Sequence, residues 1–291
     1  LNTFSNSEME RLVYPIGFIQ FMLGSFGCLL IFMLDDIFSI SAKMRLLLQS
    51  LIILGLIMST GTYIMQLPDL LSLGPINLNY LGIPFTIFCC VGLMNAFNMI
   101  DGINGLCSGC AMLALLLIGF YSGLIYDSML VLIIGSMIGF VIFNLGTFGK
   151  KRGVFLGDSG SNLIGFWVAW CAVYASQNQL YDIEPITMLW FVAIPFLDCI
   201  GLIFSRIKRG ISWSSPGRDH IHHKLMRNFT PQSTLLLILI ITLITGLFGI
   251  YIENNTSPST SLLLFITYGF IYFVFAGYDE YKNEEDIKNN V

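Results

Sequence analysis

The chain has 291 residues, 55% of them hydrophobic and 11% charged, and a mean hydropathy of +0.77, which excludes the soluble globular class. Its net charge of −4 is modest and no soluble basic domain is evident, so nucleic acid is not an expected partner. Apolar runs of spanning length fall at 11–34, 44–66, 81–97, 106–124, 128–147, 160–176, 186–204, 234–252 and 261–277. The runs are continuous rather than alternating, so they predict helices. The expected fold is all-α: one polytopic transmembrane bundle of about nine spans over residues 1–291, with a polar start at 1–10 and a tail at 278–291.

Charge placement orients the bundle. If 35–43 faces the cytoplasm, so do 98–105, 148–159, 205–233 and the tail. Thirteen of the fourteen Lys and Arg residues then lie on that side, with Arg11 the exception. The opposite loops carry Asp69, Asp127, Asp182, Glu184 and Glu253 and no basic residue. A multi-pass protein with a basic cytoplasmic face suits anionic headgroups or phosphorylated ligands. The seven cysteines lie in or beside apolar runs. Cys107 and Cys110 have CxxC spacing without a second pair, which favours helix packing over metal or redox chemistry.

Four polar clusters follow in chain order on the cytoplasmic side. The first span ends in Asp35-Asp36, whose mutual repulsion calls for a cation, a proton or a basic partner, with Lys43 and Arg45 close behind. The third run ends in Asn95-Ala-Phe-Asn-Met-Ile-Asp-Gly-Ile-Asn-Gly-Leu106. This gathers Asn95, Asn98, Asp101 and Asn104, side chains too costly to leave in hydrocarbon. Gly157-Asp158-Ser-Gly-Ser161 then opens a helix, where free N–H groups favour phosphate and Asp158 can ligate a metal. GDSG also surrounds a protease nucleophile, but a membrane helix follows at once, which rejects that reading.

The last cluster, in the longest cytoplasmic loop, holds all three histidines: His220, His222 and His223, flanked by Arg218 and Lys224. Zinc would need further ligands from elsewhere, whereas a phosphate or diphosphate needs no closed shell and is favoured. Asp198 lies inside the seventh run, where it should face the bundle interior and a partner; structural pairing and a site role both stay open. Pro195 predicts a kink beside it. Carboxylates, a helix N-terminus and basic residues at one membrane edge suggest Mg²⁺-assisted phosphoryl transfer, with Mn²⁺ as a substitute. A transporter would place such groups at the midplane in repeated halves, and no repeat is evident.

LDD, NAFNMIDGINGL, VFLGDSGSNLIGF and DHIHHKLM, in this order, resemble the polyprenyl-phosphate N-acetylhexosamine-1-phosphate transferases. HIHH and NAFNM look like the WecA/TagO-type GlcNAc-1-phosphate branch. The resemblance runs from about residue 11 to residue 277 and implies transfer of a sugar-1-phosphate from a UDP-N-acetylhexosamine to undecaprenyl phosphate, with release of UMP. It places the protein in the bacterial inner membrane, starting a lipid-linked surface polysaccharide of the O-antigen, lipopolysaccharide or cell-wall kind. By the same resemblance Asp158 is the metal ligand, and Asp35, Asp36 and Asp101 form the catalytic set. It matches Asn98 and Asp101 to nucleotide-sugar contacts and His220, His222 and His223 to the loop that holds the diphosphate or sugar; Asn95, Asn104, Lys43 and Arg218 are expected to bind substrate beside them. A homo-oligomer stays open.

Two departures bear on these expectations. Asn104 stands where the family motif DGxDG has its second acid, which implies altered nucleoside affinity rather than lost chemistry, since an amide still hydrogen-bonds uracil. The family also carries two further upstream spans and a basic, Gly-rich loop between them. Their absence from this sequence sets a truncated, inactive copy as the competing expectation.

Overall fold

The computed structural model describes residues 17–71, 74–149, 153–177, 183–210, 212 and 219–289, with side chains described up to residue 276 apart from residue 126. Within these, the chain is a helical bundle. In order it forms α1 (Phe18–Phe38), α2 (Ala42–Thr60), α3 (Gly82–Ile100), α4 (Leu106–Ser122), α5 (Ser128–Asn144) and α6 (Gly157–Gln177). Then follow α7 (Pro185–Phe191), α8 (Ala193–Lys208), the short α9 (Ile221–Leu225), α10 (Pro231–Asn255) and α11 (Pro258–Asn289). The one departure from an all-α plan is a two-residue ribbon between α2 and α3, β1 (Gln66–Leu67) paired antiparallel with β2 (Ile76–Asn77).

Each expected apolar run corresponds to a helix or a broken pair of helices. Among the described residues, five helices have 18 or more residues and are apolar enough to cross a membrane, or six if the bent pair α7 and α8 is one span. α4 and α5 are apolar and shorter, at 17 residues each, and α6 opens on the polar Gly157–Asn162 turn. This is an all-α polytopic membrane protein. The seventh run bends by 85° at Val192 rather than at Pro195 itself. The reason is local: a proline ring collides with the carbonyl four residues back, here Phe191, and leaves it without an N–H donor. Pro195 thus ends α7 and sits in the first turn of α8, where a missing N–H costs little.

Side-chain caps mark several starts. Asp127 Oδ1 accepts from the N–H groups of Met129 (2.7 Å) and Leu130 (3.2 Å) at the head of α5. Thr230 accepts from Ser233 N–H ahead of α10. α6 is the hub, packing on α1, α3 and α4. Its crossing with α3 is so close that a Cβ on Gly165 would lie 2.7 Å from Met94 Cα, so only glycine fits. Phe166, Trp170, Met94, Phe97 and Ile100 fill the core around that crossing. Cys107 and Cys110 are buried in α4, with Cys110 Sγ 3.8 Å from Thr242 Oγ1 on α10. On the outside, Ile19, Leu23 and Phe26 of α1 and Leu51 and Met58 of α2 are exposed, as lipid-facing side chains should be.

Candidate functional site

Because the helices alternate in direction, the end of α1, the start of α2, the end of α3 and the start of α6 come together at one end of the bundle. Three of the four polar clusters meet there directly. Asp35, 8% exposed on the last turn of α1, holds Arg45 on α2 at 3.1 Å. The same Arg45 Nη1 lies 3.8 Å from Asp158 Oδ2 at the start of α6. Asn98 on α3 donates to Asp158 Oδ1 (3.2 Å) and to Ser161 Oγ (2.9 Å). Ser159 donates to Asp36 Oδ2 at 3.3 Å.

The backbone explains why Asp158 faces out. Gly157 takes a φ of 66°, which turns the chain sharply into α6 and leaves Asp158 in the first turn beside unbonded N–H groups. Its side chain is 54% exposed, open to a ligand. Beneath it runs a buried line of amides. Asn95 donates to Gln49 Oε1 (3.0 Å), Gln49 donates to Asn162 Oδ1 (2.9 Å), and Asn162 donates to the Asp158 carbonyl (2.9 Å). Each amide satisfies the next, so α2, α3 and α6 are locked in register without a charge in the apolar interior.

Asp101 ends α3 in the loop before α4. Burial, and then the negative charge of Asp158, push its carboxyl up to about 6 from the ordinary 3.8. A cation beside Asp101 would relieve that repulsion. Asn144 at the end of α5 fixes the surrounding backbone, accepting from Gly105 N–H (2.6 Å) and donating to the Val154 carbonyl (2.7 Å).

The histidine cluster reaches the same end. His222 is 1% exposed and packs on Gly102, where an added Cβ would lie 1.9 Å from its Nε2. Its ring centroid is 5.4 Å from that of His220 and 4.2 Å from that of His223. Burial first, then its two histidine neighbours, push its pKa down to about 4, so the ring is neutral at physiological pH. Neither of its nitrogens has a hydrogen-bond partner among the described residues. His220 Nδ1 is 2.8 Å from Asp198 Oδ2 on α8, so the intramembrane carboxylate has a histidine for its partner.

Not every expected residue joins the set. Lys43 and Asn104 are exposed and stand outside these hydrogen bonds, and Arg218 lies outside the described residues. Arg45 and Gln49 carry more of the geometry than the sequence reading gave them. Their signal was present: they sit one helical turn apart, two polar side chains on one face of an apolar helix. Among the described residues no three His, Cys, Asp or Glu side chains converge to enclose a metal. Mg²⁺ asks less, since it takes one or two carboxylates and completes its shell with water and phosphate oxygens, and Asp158 with Asp101 fits that demand.

Residues 18–176, from the first helix through α6, match the family model described as glycosyl transferase family 4. The chain belongs to that family. The undecaprenyl-phosphate alpha-N-acetylglucosaminyl 1-phosphate transferase of Yersinia pestis is 35% identical over 251 residues, 81% of this chain and 68% of the relative. Proteins of the same description are 32% identical in Escherichia coli K12 over 246 residues, and 31% identical in Haemophilus influenzae over 252 residues. Those alignments cover 67% and 69% of the relatives. The matched region holds Asp35, Asp36, Arg45, Asn98, Asp101 and Asp158, so the carboxylate site of this family 4 member lies wholly within it.

Proposed function

We propose that this chain transfers N-acetylhexosamine-1-phosphate, with GlcNAc the first sugar to test, from a UDP-sugar to undecaprenyl phosphate and releases UMP. The reaction would take place at the cytoplasmic face of a bacterial inner membrane and begin a lipid-linked surface polysaccharide. The observation that carries this reading is the meeting of Asp35, Arg45, Asn98 and Asp158 from four helices at one end of the bundle. The names of the relatives supply the acceptor and the sugar.

A bound Mg²⁺, seated by Asp158 and Asp101, would draw charge from the diphosphate as it is cleaved. The chain's own groups do the rest. Arg45 turns from Asp158 toward the phosphate oxygens and neutralises the charge that builds there. Asn98 holds the Asp158 carboxylate in its orientation. Asp36, which among the described residues accepts from the Ser159 hydroxyl, takes the proton of a lipid phosphate that arrives protonated. An oxygen of that phosphate attacks the phosphorus bearing the sugar. One P–O bond forms, the P–O bond to UMP breaks, and the electron pair leaves on the UMP phosphate. Direct attack is preferred to an aspartyl-phosphate because Asp35 is buried against Arg45 and poorly placed as a nucleophile. The histidine segment would line the sugar and diphosphate, with His222 buried behind His220 and His223.

The test is transfer of label from tritiated UDP-GlcNAc into the lipid extract of membranes expressing this chain, with undecaprenyl phosphate and Mg²⁺ supplied. Label that requires Mg²⁺ and falls by roughly a thousandfold or more in Asp158→Asn supports the reading. No label from UDP-GlcNAc, UDP-GalNAc or a 6-deoxy amino sugar donor, with folded protein present, overturns it.

A further inference from the structure

Asp198 is the most heavily engaged carboxyl group among the described residues. It lies on α8, is 4% exposed, and both oxygens are used. Oδ2 meets His220 Nδ1 at 2.8 Å, while Oδ1 accepts from Ile221 N–H at 2.9 Å and from the Tyr272 hydroxyl at 3.0 Å. Three donors from two other parts of the chain converge on it. A group of this kind fixes directions, since moving any donor breaks a charge-assisted bond.

What it fixes is the histidine segment. α9 has five residues, too few to hold a helix alone, and His220 and Ile221 form its first turn. Bonds to Asp198 tie that turn to α8, and the Tyr272 hydroxyl ties the same carboxylate to α11. Lys224, at the other end of α9, donates to the Ala276 carbonyl one turn further along α11. From His220 the order passes by ring contact to His222, whose seat on Gly102 adjoins Asp101.

We infer that Asp198 is a positioning residue. It sets the tautomer and ring plane of His220, and through the stacked His222 it sets the histidine cluster against the carboxylate loop, with Tyr272 as its strut. A carboxylate only accepts, so His220 carries a proton on Nδ1, and in the neutral ring Nε2 is then the acceptor. That form suits a hydroxyl or amide donor of the sugar, and Asp198 thereby selects which part of the substrate His220 addresses. The kinetic consequence rests on the proposed transferase reading; the tautomer does not.

The experiment uses the full chain in lipid nanodiscs with ¹⁵N-labelled histidine, and the protein has only three histidines to resolve. In the unchanged protein His220 should show a protonated Nδ1 and an unprotonated Nε2. In Asp198→Asn the amide keeps an oxygen for Ile221 and Tyr272 and turns its N–H₂ toward His220, so the tautomer inverts. Transfer by Asp198→Asn should lose about 30-fold in kcat, with KM for UDP-GlcNAc within about threefold, and Tyr272→Phe should lose about fivefold, as expected for charge-assisted bonds. An unchanged tautomer in folded Asp198→Asn overturns the inference, as does a loss confined to KM. If Asp198→Asn does not fold, Tyr272→Phe decides by whether the His220 Nδ1 proton shifts. If the unchanged protein transfers nothing, the transferase reading fails while the tautomer arm still judges Asp198.

Discussion

Two regions of this bundle are held together by different means. Around the site, α2, α3 and α6 are joined by the amide line Asn95, Gln49 and Asn162, with exposed charge above it. Around Trp190, α7, α10 and α11 meet through aromatic edges. The Trp190 ring lies 5.0 Å from Phe265 and 5.6 Å from Phe248, both near perpendicular, and its N–H reaches Ser261 Oγ at 3.1 Å. The amides give direction, and the aromatic cluster gives area and close packing. A site that must hold charges in fixed places needs the first; a joint that only holds helices together needs the second.

That contrast predicts separable failures. Trp190→Ala should produce the largest loss of stability, about 3 to 5 kcal/mol, because an indole packed on Gly249 leaves a void the helices cannot close. Thermal unfolding in detergent measures it, and the surviving folded fraction should keep its transfer rate. Gln49→Leu comes next. It leaves the Asn162 oxygen without its donor and Asn95 with the Val91 carbonyl as its acceptor, costing about 1 to 3 kcal/mol, and should also slow transfer because Asn162, freed to turn, holds the Asp158 carbonyl less firmly. If Gln49→Leu harms stability alone, the amide line has no part in placing the site. The smallest effect is in pH. Asp101 holds its proton to about pH 6, against 3.8 for an ordinary aspartate, so its charge appears only as pH rises through that value. Transfer should climb between about pH 5 and pH 7, and Asp101→Asn should flatten that limb while lowering the plateau. A limb that persists in Asp101→Asn would assign it to another group.

The sequence disclosed the polar clusters because charge and amide groups stand out in an apolar chain, and their shared side followed from the alternation of spans. Their contacts were another matter. That Arg45 lies between Asp35 and Asp158 depends on which helices are neighbours, and nothing in local spacing says that α6 rather than α4 adjoins α1. Gln49 was unread for the same reason: one amide in an apolar run has no evident partner until two other helices supply it. The break at Val192 was nearly visible in Pro195, but a proline acts on the carbonyl four residues behind it, so the elbow sits earlier than the residue that causes it. Asp198 could be placed in the interior by cost alone, and its three donors could not.

Tyr272 and Ala276 lie on a helix that continues to Asn289. Thirteen residues of helix make an arm of about 20 Å beyond Ala276. Purification handles and surface tethers are commonly fixed to the last residue of a chain, and here the pull of such an attachment would travel down that arm to the bonds that seat the histidines. A pull applied along that arm would bear on the histidine segment, and an assay on immobilised material would be cleaner with the anchor placed away from it.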